Sequence, residues 1–141
     1  MMKRLTAWRS GAPGAAAGAT APTTRERGGQ AEDLAQAHLR RAGLVAVARN
    51  YRTPGRGGGE VDLIMREADG TLVFVEVRAR RSAAFGGAAA SVGALKRRRI
   101  VFAARHYLLR LGGAAPPCRF DVVAVEDGRI EWLKAAFDAS E

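Results

Sequence analysis

Between Gly59 and Arg80 the chain reads GEVDLIMREADGTLVFVEVRAR, two apolar runs that carry the carboxylates Glu60, Asp62 and Glu76. Carboxylates are unexpected among Val, Leu, Ile and Phe unless they have a partner, because a buried charge must be paired or bound to metal. Hard divalent cations such as Mg²⁺ take oxygen donors and need only one or two carboxylates beside retained waters. Arg78 follows Glu76 by two residues, so on an extended chain both side chains leave the same face. Two chemistries suit this set: an ion-pair cluster closed by arginine, or a metal site with a cation beside it.

The elements that position these residues follow from local pattern. EVDLIM and TLVFVEVRAR read as two strands joined at READG, where Asp69-Gly70 provides a hairpin turn. A turn centred near Asp69 pairs residues whose numbers sum to 138, which sets Asp62 opposite Glu76 with Arg78 one step along. Like charges directly opposed destabilise a sheet, so arginines or a divalent ion must neutralise them. Upstream, GGQAEDLAQAHLRRAG places Ala31, Leu34, Ala35, His38, Leu39 and Ala42 on one helical face, and Gly43 follows as a terminator. Glu32 borders that face. His38 lies on the apolar side and reads as a packed histidine with one hydrogen bond. LVAVARNYR reads as a strand and TPGRGGG as a flexible loop. No Gly-Lys-Ser/Thr follows that loop and it opens onto a strand, so it is not a phosphate cradle.

Beyond the hairpin, VGALKRRRIVFAARHYLLRLGG reads as a helix with Ile100, Ala103, Ala104, Tyr107, Leu108 and Leu111 inward and Arg97, Arg98 and Arg105 outward. Basic residues at its start oppose the helix dipole, so local stability does not account for them. Contact with phosphates does, with Lys96 added to the same surface. Before this helix, RRSAAFGG reads as a loop near the carboxylates in which Arg80 and Arg81, with Phe85, are placed to touch nucleic-acid backbone or base. RFDVVAVEDGRIEWL closes the sheet as two strands around an Asp127-Gly128 turn, with a structural role for Asp121. The lone Cys118 has no second cysteine to pair with and is read as structural.

Composition bounds the function. At 141 residues with 48% hydrophobic content the chain suits one domain with one core. Residues 1–27, rich in Ala, Gly, Pro and Thr, are expected to be a disordered basic tail, and 28–141 the folded domain. The formal net charge is +9, and removing the tail's five basic residues and one acid still leaves 18 basic and 13 acidic residues. Such a surplus favours polyanions, nucleic acid or an anionic membrane surface, and charge alone does not choose between them. No apolar run approaches a membrane span and the N-terminus lacks a signal-type apolar region, so a soluble cytoplasmic protein without a membrane partner is expected.

The segments AEDLAQAHLRRAGLVAVARNYR, GEVDLI, LVFVEVRAR, KRRRIVFAARHYL, RFDVVAV and IEWLKAAF together resemble the bacterial UPF0102, or YraN-like, family, over roughly residues 28 to 138. Its fold is similar to Holliday junction resolvases and other PD-(D/E)XK, restriction-endonuclease-like nucleases. The resemblance implies an α/β domain with an αβββαβ core, a mixed central sheet flanked by helices. It also implies a site in which Glu32, Asp62 and Glu76 surround Mg²⁺ or Mn²⁺, with Arg78 in the place of the motif lysine and with Arg80 and, less favoured because it lies beyond the loop, Lys96 as candidate substitutes for that lysine. The implied activity is metal-dependent endonucleolytic hydrolysis, with DNA favoured over RNA as partner and a homodimer expected by analogy with resolvases. Arginine stays charged and cannot act as a general base. The alternative is therefore a catalytically inactive nucleic-acid-binding or regulatory protein that retains the fold.

Overall fold

The computed structural model describes residues 23–80 and 92–140. Helix α1 (Thr24–Arg41) starts inside the stretch assigned to the tail. The reason is a capping box: Thr23 Oγ1 accepts the Glu26 amide at 3.1 Å and the Glu26 carboxylate accepts the Thr23 amide at 2.9 Å. Residues 1–22 of the expected tail lie outside the described residues. At the other end Gly43 takes φ +102°, where a side chain would be strained, and stops the helix as its spacing predicts.

Strands β1 (Val45–Arg52), β2 (Glu60–Arg66) and β3 (Leu72–Arg80) follow, then helix α2 (Ala94–Leu111) and strands β4 (Cys118–Glu126) and β5 (Arg129–Phe137). This is the expected αβββαβ order with one strand added. The strands stand in sequence order in one sheet, and only β3–β4 is parallel. A parallel neighbour needs a crossover, and α2 lies within it. On one face, Ala31, Ala35 and Leu39 of α1 pack with Leu63, Met65, Val73, Val75 and Val123. On the other, Ile100, Ala103 and Ala104 of α2 pack with Ile64, Phe74, Phe120 and Val122. Coverage of both faces explains why the inner strands read as nearly unbroken apolar runs. No helix among the described residues is long and apolar enough to cross a membrane.

The hairpin register is the expected one, with Leu63 opposite Val75, Ile64 opposite Phe74 and Arg66 opposite Leu72. Its regular pairing runs out at Leu63, and there Asp62 Oδ2 accepts the Val77 amide at 2.8 Å in place of a backbone carbonyl. Val61 has the parity of Leu63 and Met65 yet packs with the α2-side cluster, so β2 rotates about its axis across Asp62.

The glycine loop differs from expectation. Its end is buried against α2, where a Cβ on Gly59 would overlap the Arg99 carbonyl oxygen and the Ala103 amide nitrogen. Thr53 Oγ1 accepts the Gly59 amide at 2.8 Å, and Arg99 Nε donates to the Gly58 carbonyl at 3.2 Å. Close backbone approach, more than mobility, accounts for this glycine.

At the far side of the sheet, Asp121 is fully buried and accepts hydrogen bonds from Arg119 Nε (3.0 Å), Trp132 Nε1 (2.9 Å) and the Ala135 amide (2.9 Å). Arg119 also pairs with Glu67. These contacts tie β4 to β5 and to the β2–β3 turn, the structural role expected of Asp121. Asp127 and Gly128 both take positive φ, as a two-residue hairpin of the expected kind requires. His38 meets Trp132 edge-on, with ring centroids 6.1 Å apart. Leu111, expected inward, is half-exposed in the last turn of α2.

Candidate functional site

Glu76 is 3% exposed, beside Asp62 at 9%. Glu76 Oε2 lies 3.4 Å from Arg78 Nη1 and 3.7 Å from Lys96 Nζ, while Oε1 is buried with no hydrogen-bond partner among the described residues. Burial, and then the neighbouring Asp62 charge, push the Glu76 carboxyl up to about 8, against the opposing pull of Lys96 and Arg78. Burial also raises Asp62, although the Val77 amide stabilises its charge. Near neutral pH the Asp62–Glu76 pair retains a proton. Two flanking cations thus leave the carboxylates short of positive charge, unlike a closed ion-pair cluster, which would hold both acids ionised.

Glu32 faces the same region from α1. With Glu60, Asp62, Arg49 and Gly28 it lines an open cleft of about 530 Å³. Burial and the Asp62 charge raise its carboxyl. Glu32 Oε1 accepts from Arg49 Nε at 3.3 Å; Arg49 Nη1 also donates to Asp33 Oδ1 at 2.7 Å and Nη2 to the Gly29 carbonyl at 3.1 Å. Among the described residues no three Asp, Glu, His or Cys side chains converge to ligating distance. Glu32 therefore shares the cleft with Asp62 without closing around the Asp62–Glu76 pair.

These donors suit Mg²⁺ or Mn²⁺. The Asp62 and Glu76 carboxylates are hard oxygen ligands, and among the described residues the second Glu76 oxygen has no hydrogen-bond partner. The Val77 carbonyl follows in sequence.

Two of the basic residues stand elsewhere than expected. Lys96, set from sequence on the phosphate-contacting surface and only as a less favoured substitute for the motif lysine, reaches into the site from the first turn of α2. Arg97, expected to point outward, is half-buried, and its Nη1 donates to the Val92 carbonyl at 2.7 Å, because the helix start turns that position back toward its own approach segment. Arg98 and Arg105 are exposed as expected. Arg80 ends β3, while Arg81 and Phe85 lie outside the described residues.

Sequence reasoning passed over Arg49, which ties Glu32 to β1, and Arg99, whose Nη2 lies 3.9 Å from Glu60. It underrated Lys96, although a signal was present: Lys96, Ile100 and Ala103 fall at i, i+4 and i+7, so the lysine borders the buried face.

Two helices on opposite faces of a mixed five-stranded sheet, with an acidic pair buried where the central hairpin opens, define a mixed α/β domain. The chain belongs to the uncharacterised protein family UPF0102, whose model matches residues 31–125. It is 68% identical over 127 residues to a UPF0102 protein of Paracidovorax citrulli, covering 90% of this chain and 92% of that protein. Similar relatives include UPF0102 proteins of Acidovorax sp. strain JS42, 65% identical over 122 residues (86% and 92% covered), and of Cupriavidus taiwanensis, 63% over 118 (84% and 87%). Glu32, Asp62, Glu76, Arg78 and Lys96 all fall within the matched span.

Proposed function

We propose that this protein is a metal-dependent endonuclease that hydrolyses phosphodiester bonds in DNA, with branched or end-processed structures as the substrates suggested by fold analogy. The observation that carries the reading is the charge deficit at Glu76, whose carboxyl stays near 8 between Arg78 and Lys96. Asp62 and Glu76 would hold Mg²⁺ or Mn²⁺, joined by the Val77 carbonyl, with Glu32 across the cleft. The bound ion would make water nucleophilic near neutral pH and offset charge on the phosphoryl oxygens. Asp62 is fixed for this by the Val77 amide.

Arg78 stands where the motif has lysine, and this favours the second reading, binding without cleavage. Lys96 answers part of that objection. It brings a primary amine to the Glu76 carboxylate from another element. In the hydrolytic reading Lys96 orients the attacking water, and Arg78, a permanent cation, stabilises charge on the phosphate.

The test combines calorimetry and cleavage. Mn²⁺ titration should give a binding signal that Asp62→Asn and Glu76→Gln abolish. Branched, nicked and single-stranded DNA, and RNA, incubated with Mg²⁺ or Mn²⁺, should show cleavage of at least one DNA that both variants lose. Salt-sensitive binding with no metal-dependent cleavage of any substrate would replace hydrolysis with the binding reading.

A further inference from the structure

Helix α2 carries Lys96, Arg97, Arg98, Arg99, Arg105 and Arg110 and no acidic residue. One end of it already serves the site, through Lys96 at Glu76 and Arg99 at Glu60. Its outer face holds an apolar feature that the core does not use: Phe102 is 53% exposed, with Leu95 and Leu109 exposed seven residues to either side. Arg98 and Arg99 precede Phe102 by four and three residues, and Arg105 and His106 follow by three and four, so all four are its helical neighbours. Phe102 lies six residues beyond Lys96, roughly 9 Å along the helix axis and a third of a turn around it.

This face fits poorly against itself. A second copy laid along the seam would bring arginine against arginine on both flanks, which costs what the apolar contact gains. An aromatic ring framed by guanidinium groups matches a nucleic-acid strand, whose phosphates take the arginines while an unpaired base stacks on the ring. Duplex DNA offers phosphates but no free base face.

We infer that Phe102 is a stacking platform for an unpaired base of the strand engaged at Asp62–Glu76, with Arg98 and Arg105 holding the adjacent phosphates. The inference rests on the nucleic-acid reading above and narrows it to DNA with an unpaired segment, such as a flap, branch or gap, beside the scissile phosphate. Roughly 9 Å is about three base steps of a stacked strand at about 3.4 Å each.

Binding is measured by fluorescence anisotropy on the full chain in EDTA, at fixed salt, with three probes: oligothymidylate, a same-length strand lacking bases, and a blunt duplex. The wild type should bind oligothymidylate about tenfold or more tighter than the abasic strand. Phe102→Ala should remove that difference and leave abasic and duplex binding within about twofold. Phe102→Trp should keep it, whereas Phe102→Leu, which retains apolar area, should behave as Phe102→Ala. Thermal unfolding should be the same for all, because the side chain is half-exposed. Wild-type behaviour by Phe102→Leu, or equal affinity of the wild type for based and abasic strands, overturns the platform while leaving the endonuclease reading intact. Failure to bind any of the three probes overturns both. Loss by Phe102→Ala of binding to phosphatidylglycerol vesicles, with oligothymidylate binding unchanged, assigns the face to lipid and overturns the inference.

Discussion

Glu76 is the residue on which the site turns. Its partners were half-legible. Strand parity and the Asp69-Gly70 turn put Asp62 across from it and Arg78 on its face, because period two and a short turn leave little freedom of register. Lys96 was less so, since its approach depends on how α2 docks after a segment that no local rule positions. The two cations predict different phenotypes. Lys96→Ala should lower cleavage by about 100-fold or more, the scale of losing a proton-transfer or water-positioning group, while Mn²⁺ affinity rises or holds because a competing charge leaves Glu76. Arg78→Lys keeps the charge but loses the planar fork, and should cost less, about tenfold. Single-turnover cleavage with calorimetry of each variant separates the two. Equal losses with weakened metal binding would mean that both side chains only hold the acids in place.

At the scale of elements, the decisive contact is the loop between β1 and β2 against α2. The sequence marks Gly58 and Gly59 as glycine but does not say why; the reason is lack of room, beside Thr53 for Gly58 and beside the Arg99 carbonyl and the Ala103 amide for Gly59. That packing sets the distance from β2, which carries Asp62, to α2, which carries Lys96. Gly59→Ala should therefore destabilise the fold by about 2–3 kcal/mol, as overpacking against rigid backbone does, and lower activity beyond what the remaining folded fraction explains. Urea unfolding and cleavage at a temperature where the variant is folded check both halves. The β4–β5 pair offers a contrast far from the cleft. Asp121→Ala leaves the Trp132, Arg119 and Ala135 donors without their acceptor, and should cost about 3 kcal/mol or more with Mn²⁺ affinity unchanged in the protein that remains folded. Its role was readable because a lone acid in an apolar strand must find donors. Which donors these are is fixed only by the β4–β5 register and its irregularity between Phe120 and Val122.

For the whole molecule, the acidic pair links stability, pH and metal. Glu76, Asp62 and Glu32 all titrate above their ordinary values. Between about 4.5, where an unfolded glutamate ionises, and about 8, where folded Glu76 does, the folded chain holds a proton that the unfolded chain has released. Stability must therefore fall as pH rises through that window and level off above it. Asp69 and Asp138, held low by Thr71 and Ser140, act with the opposite sign but only near and below their ordinary value of 3.8. The metal-free protein should melt several degrees lower at pH 8 than at pH 6. Glu76→Gln isolates the carboxyl's share, because it removes the group that titrates near 8. That variant should lose most of the pH dependence. Mn²⁺ should raise the wild-type Tm more at pH 8 than at pH 6, since binding must expel the shared proton at the lower pH. Differential scanning fluorimetry across pH 5 to 9, with EDTA or Mn²⁺, reads all three effects. A wild-type curve parallel to that of Glu76→Gln, with no pH-dependent gain from Mn²⁺, would show that Arg78 and Lys96 already balance the acids and that the site has no need of a metal.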